Sequence, residues 1–192
     1  KSIKSKKNVT IDGGTITLRS TKNKNAREGV KQFSSVSLLY GRPFQGFSVS
    51  VVSDTLKPKP VKAVGESGAT LMTWTFPREV DKAVIRINGS AEIYAVGADG
   101  HSGVAVDNVP LRGCSGNIFH RISQPLMADC LDLTDTRLII LQFGGNYMPV
   151  TRNTQVIEQY QEQIAREIRY FQEAAPRARV LFIGPSDMGK IS

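Results

Sequence analysis

The residue pattern changes period near residue 104, and this restricts the chain to a β-rich part followed by an α/β part. Before that point, short segments alternate apolar and polar residues at period two, separated by Gly, Pro, Ser and Asn clusters about every ten residues. Thr15-Ile16-Thr17-Leu18, Phe47-Ser48-Val49-Ser50-Val51, Met72-Thr73-Trp74-Thr75-Phe76 and Ala91-Glu92-Ile93-Tyr94-Ala95-Val96 are such segments. A strand exposing one face to water has this alternation, so residues 1–103 are expected to form a β-sandwich of jelly-roll type. Lys57-Pro58-Lys59-Pro60 cannot sit in a central strand, because proline donates nothing to the ladder, and it marks an edge or a connection.

From residue 104 to 192 the order is strand, loop, helix, repeated. Val104–Asp107 reads as a short strand, Asn108–Gly113 as a loop and Ser115–Ala128 as a helix. Arg137–Phe143 is a nearly continuous apolar run, the signature of a strand buried on both faces of a parallel sheet. A helix is predicted over Thr154–Ala175, with Ile157, Tyr160, Ile164, Ile168 and Phe171 recurring on one face. Pro176 stops it, and Arg179–Ile183 forms the next strand. Three parallel strands with two crossovers are part of a doubly wound, flavodoxin-like sheet, too few for a complete one.

Composition narrows the function classes. With 192 residues and 40% apolar content the chain can bury a proper core. No window approaches eighteen uninterrupted apolar residues, and no signal-peptide pattern is present, so a membrane span is not expected. The net charge of +8 is a terminal feature: residues 1 to 31 hold nine Lys/Arg against two acids, leaving +1 for the remaining 161 residues. The run Lys1, Lys4, Lys6, Lys7 has no interleaved aromatic for base stacking, so nucleic acid is not expected as a partner. A helix over 115–128 would separate Cys114 and Cys130 by about 20 Å, beyond the roughly 7 Å reach of a disulfide, so two free thiols are expected. His101 and His120 stand apart with no clustered carboxylates, so neither a metal nor a cofactor is expected.

In an open parallel sheet ligands bind outside the carboxyl ends of the strands. The loops after the three expected strands carry Arg112-Gly113-Cys114-Ser115-Gly116, Gly144-Gly145-Asn146 and Gly184-Pro185-Ser186-Asp187. Gly113 can offer its N–H to a developing oxyanion, and Asn146 can add a side-chain amide donor to the same oxygen. Taken singly, Gly113 is equally a turn glycine and Asn146 a cap residue. Ser115 and His120, five residues apart on the expected helix, point to different faces and make a poor dyad. Trp74, Tyr40, Tyr94 and Phe44 are aromatic residues able to stack on sugar rings, although Trp74 alternates with Met72 and Phe76 as in a core row.

Asp107-Asn108-Val109-Pro110-Leu111-Arg112-Gly113-Cys114-Ser115-Gly116 resembles the second conserved block of SGNH/GDSL-type serine acylhydrolases, and Gly144-Gly145-Asn146 resembles the third, a GxN pattern. Val180–Asp187 is similar to the strand and Gly-Pro loop that follow in that family. The β-rich stretch resembles the carbohydrate-binding-like jelly roll inserted between the first and second blocks in a bacterial subgroup. The resemblance implies an esterase removing acyl groups, acetyl first among them, from a carbohydrate or cell-wall polysaccharide in an extracytoplasmic setting. Gly113 and Asn146 would form the oxyanion hole, with Arg112 and Gly145 near the substrate. The family's Gly-Asp-Ser nucleophile occurs nowhere in the sequence, and no histidine follows His120 to complete an Asp-x-x-His block. The expectation is therefore a fragment, with the serine and the catalytic Asp and His outside this chain and the segment alone inactive. The alternative is a non-catalytic carbohydrate-binding or cell-surface protein on the same scaffold.

Overall fold

The computed structural model describes residues 9–21, 23–25, 31–44, 46–57, 59–62, 68–151 and 153–186. The basic start at residues 1–8 and Asp187 lie outside the described residues. The chain divides into two compact units, 1–108 and 109–192.

In the first unit the period-two segments become β1 (Val9–Arg19), β2 (Phe33–Gly41), β3 (Ser48–Ser53), β4 (Val61–Lys62), β5 (Ala69–Val80) and β6 (Lys82–Asp99). They form one curled antiparallel sheet in the order β4-β3-β6-β2-β5, with β1 also pairing β6. The 18-residue β6 organises the unit: its first half lies between β1 and β3, and its second half pairs β2. The inward rows supply the core, in which Val36, Leu38, Tyr40, Val49 and Ile85 are fully buried. Trp74 and Met72 pack against this core, as their place in the inward row of β5 predicts. Lys57, Lys59 and Pro60 lie between β3 and the edge strand β4, and Pro58 lies outside the described residues.

The second unit departs more from expectation. Val104–Asp107 forms no strand, and Val104 and Val106 are 91% and 83% exposed. An apolar strand persists only where a neighbour takes its ladder bonds, and among the described residues none does. The sheet therefore has two parallel strands, β7 (Leu138–Gln142) and β8 (Arg179–Ile183), where three were expected. Ser115–Ala128 is not one helix either. A 3-10 turn occupies Phe119–Arg121, and α1 runs over Gln124–Leu133. Pro125 stands in the first turn of α1, where its missing N–H costs nothing, but a helix already running there would have lost a bond. Gly116, at φ +86°, turns the chain out of helical geometry upstream.

The long helix forms as predicted. α2 (Thr154–Ala174) is capped by Asn153, whose side chain accepts from the Val156 N–H at 3.0 Å. Its buried stripe is Tyr160, Ile164, Glu167, Phe171 and Ala174, with Tyr170 alongside; Ile157 is exposed. One face of the β7/β8 pair packs on this helix through Leu141, Ile139, Val180 and Phe182 against Tyr170 and Phe171. The other face presents Leu138, Ile140, Leu181 and Ile183 to solvent, so these strands are covered on one side and not on both.

Candidate functional site

Loops after parallel strands converge because the strands end together. β7 and β8 are in register from Leu138↔Arg179 to Gln142↔Ile183, and the Phe143 N–H continues the ladder to the Ile183 carbonyl at 3.3 Å. The two following loops then touch at Gly144. A Cβ at this glycine, which has φ +117°, would lie 2.5 Å from Pro185 Cδ, so only glycine lets the loops close on each other. The third loop joins them through Gly116: a Cβ there would fall 2.5 Å from Phe143 Cγ. The three glycine-bearing loops picked out by sequence thus share one end of the second unit.

Asn146 makes the decisive link. Its Nδ2 donates to the Cys114 carbonyl at 3.0 Å, tying the second loop to the residue after Gly113. One amide hydrogen is used in that bond, and the other has no partner among the described residues. Gly113 has φ +75°, is exposed, and has nothing within 4 Å of where a Cβ would stand. Its backbone N–H makes no hydrogen bond to a described residue, since the turn here is closed by Cys114 N–H to Leu111 O at 3.2 Å. Arg112 and Gly145 are both exposed beside these two donors. Ser186 is exposed after β8.

The segment that carries Gly113 onward is held by one polar face of α2. Tyr160 Oη donates to the Ser115 carbonyl at 2.8 Å, Asn117 Nδ2 donates to Gln163 Oε1 at 2.6 Å, and Tyr170 Oη donates to the Ile122 carbonyl at 3.2 Å. Between them Glu167, completely buried, accepts the His120 backbone N–H at 2.9 Å and pairs through its other oxygen with His120 Nδ1. Tyr147, from the Asn146 loop, stacks on Tyr160 with ring centroids 4.1 Å apart. Burial raises the pKa of the Tyr160 phenol, with Cys114 and Tyr147 adding to the shift, and it raises Tyr170 likewise, with Glu167 adding there.

His120 is therefore an anchored residue. Glu167 fixes its Nδ1, and the ring borders an open cleft of about 330 Å³ shared with Arg166, Arg169 and Tyr170. Among the described residues no serine, threonine or cysteine bonds its imidazole, so His120 and Ser115 form no dyad. Cys114 and Cys130 are both free thiols, as expected. The Cys114 sulfur accepts the Gly116 N–H at 3.2 Å, which tightens the loop, while burial raises the Cys130 thiol pKa, with Asp129 adding to the shift. Glu167 was not legible in the sequence. The only available signal was a carboxylate at the stripe spacing, seven residues after Tyr160 and four before Phe171.

No family model matches the chain, and no curated protein matches it. Among solved structures, the carbohydrate esterase family 2 enzyme plus carbohydrate binding domain of Corynascus thermopiles (Myceliophthora fergusii) is similar to this chain at 12% identity, over 90% of this chain and 72% of that one, with a TM-score of 0.29. A likeness of that size transfers neither fold nor chemistry.

Proposed function

We propose that the second unit supplies the oxyanion-stabilising half of an SGNH-type serine esterase that removes acyl groups, acetyl first among them, from a carbohydrate outside the cytoplasm. The observation that carries this reading is the bond from Asn146 Nδ2 to the Cys114 carbonyl. It ties the Asn146 amide to the residue after Gly113, whose N–H is open, which supports a reading in which two donors from adjacent loops meet one oxygen. A carbonyl oxygen gains charge as it becomes tetrahedral, and preorganised donors lower that barrier because they need no reorganisation. Arg112 and Gly145 flank the donors and would contact the carbohydrate. The attacking serine and the histidine that moves its proton are assigned to residues outside this chain, since the sequence has no Gly-Asp-Ser and no histidine after His120. In this reading the first unit is the jelly-roll insert of the carbohydrate-active subgroup.

The test uses protein carrying those further blocks, assayed on 4-nitrophenyl acetate and on acetylated xylan. Asn146→Ala is expected to lower kcat by about 100-fold or more with little change in KM, as loss of one oxyanion donor does. An unchanged kcat overturns the assignment. The 192-residue chain alone should release no acetate.

A further inference from the structure

The open cleft beside His120 carries charge that the fold does not use. Its volume is about 330 Å³, and Arg166, Arg169 and Glu173 line it with His120, while Ile122 and Tyr170 are its apolar members. Arg166 and Arg169 stand one turn apart on α2 and are both exposed. Neither guanidinium makes a hydrogen bond or an ion pair to a described residue. Glu162 precedes Arg166 by four residues and Glu173 follows Arg169 by four, the spacing at which helix ion pairs form. Glu173 Oε2 instead accepts from Gln124 Nε2 at 2.7 Å, and Glu162 bonds no described residue. Like charges a turn apart repel, so folding gains nothing by leaving the two arginines open. His120 adds a third group. Its Nδ1 is held by the buried Glu167, and Nε2 has no partner among the described residues. A carboxylate partner fixes the proton on Nδ1, so a neutral ring accepts at Nε2 and a charged one donates there.

We propose that this cleft binds a phosphate monoester. Guanidinium groups match phosphate oxygens through paired N–H donors, and two of them stand here without a carboxylate. An imidazole nitrogen that gives or takes one proton suits a group whose second ionisation falls at about pH 6. One proton then lies between Nε2 and a phosphate oxygen, whichever of them carries it. Sulfate has no such proton to share, and a carboxylate has only two oxygens for three groups. The charge also agrees: the two guanidiniums face one lining carboxylate, Glu173, and Glu167 is taken up by His120. Pockets for small organic ligands run from about 300 to 1,000 Å³, so the cleft has room for more than a bare ion. Ile122, 43% exposed, and the Tyr170 ring offer apolar surface to the organic part of the ester. Arg169 lies nine residues along α2 from Tyr160, about 14 Å, so this site is separate from the proposed oxyanion donors and does not depend on the hydrolytic reading.

The test is isothermal titration calorimetry of the full chain with glycerol 3-phosphate, inorganic phosphate, sulfate and acetate at constant ionic strength, with thermal melting alongside. Glycerol 3-phosphate is expected to bind once per chain and more tightly than the other three. Arg166→Gln and Arg169→Gln should each weaken it by about 10-fold or more, as loss of a charge-assisted bond does. Both variants should keep their Tm, because neither guanidinium has a partner to lose. Absence of binding at millimolar glycerol 3-phosphate overturns the proposal. So does binding that both variants retain, which would assign it to the basic residues 1 to 31, and so does sulfate or acetate binding as tightly as the ester. Binding is read without hydrolysis, so its failure and that of the esterase reading are told apart.

Discussion

Replacing Glu167 should cost the second unit more stability than any other single polar substitution in it. The carboxylate is completely buried and accepts from both the backbone and the ring of His120. Net hydrogen bonds to a charged group contribute about 1.5–3 kcal/mol each, and desolvation of the carboxylate offsets part of that. Removing one partner of a buried pair costs about 3–5 kcal/mol, because the other is left without compensation. The His120 side chain is 28% exposed, so water can reach it, which places Glu167→Ala near the lower end, at about 3 kcal/mol. Glu167→Gln keeps the volume and one acceptor, and should lose roughly 1–2 kcal/mol. A unit of this size has on the order of 4–13 kcal/mol in total, so the alanine variant stays folded but weakened. Urea unfolding followed by far-UV circular dichroism reports this unit, because α1 and α2 lie in it, while the single tryptophan, Trp74, reports the other. At a slope of about 1–1.5 kcal/mol per molar, the helical transition of Glu167→Ala should move down by roughly 2 M. A shift equivalent to less than about 1 kcal/mol would refute the reasoning, since a buried carboxylate with two bonds cannot be lost so lightly.

The glycines of the converging loops separate strain from function. Gly116→Ala combines a left-handed backbone with a Cβ 2.5 Å from the Phe143 ring and should lose about 2–4 kcal/mol, whereas Gly113→Ala, with open space around it, should lose only about 1–2 kcal/mol by the same denaturation assay. Alkaline titration should divide the five tyrosines. Tyr40, Tyr160 and Tyr170 are held above the ordinary phenol value by burial, so absorbance at 295 nm should show a late-ionising fraction. A folded-state pKa above the unfolded one means that the neutral phenols contribute full stability below pH 10.0 and lose it as pH rises further; equal stability at neutral pH and at pH about 11 would contradict this.

Period and punctuation explain what could be read from the sequence. Strands such as β3 and β5 were visible because one side of each alternates into a core, and α2 because its apolar residues recur at helical spacing. The helix expected at 115–128 failed where periodicity and punctuation disagreed. Ile118, Phe119 and Ile122 have helical spacing, yet Gly116 and Pro125 set the backbone. The strand expected at Val104–Asp107 failed because a strand is a property of its neighbours, which composition does not contain. The common end of the Asn146 and Pro185 loops was legible because those loops follow parallel strands, a rule of topology; the Gly113 loop follows no strand and reaches that end through Gly116 and the Asn146 bond to Cys114. Glu167, the bulge at Tyr94 and the left-handed Arg42 were not legible, since each arises from a tertiary contact between residues far apart in the chain.

The polar face of α2 shows how an irregular loop can be held as firmly as a regular element. The backbone from Ser115 to Ile122 has little ladder or helix to satisfy its carbonyls and amides, and buried groups of that kind must find partners. Tyr160, Glu167 and Tyr170 supply backbone partners and Gln163 accepts from the Asn117 side chain, at successive steps of three or four residues, which is the helix's own repeat, so the loop is laid along α2 at that pitch. Nothing polar in a side chain is left buried without a partner among the described residues. The consequence reaches the proposed site. Gly113 is positioned by Cys114 and Ser115, which are tied to Asn146 and to Tyr160, and Tyr160 in turn stacks on Tyr147 of the Asn146 loop. Both proposed donors therefore take their places from a single helix position, and a change at Tyr160 would act on the two loops together.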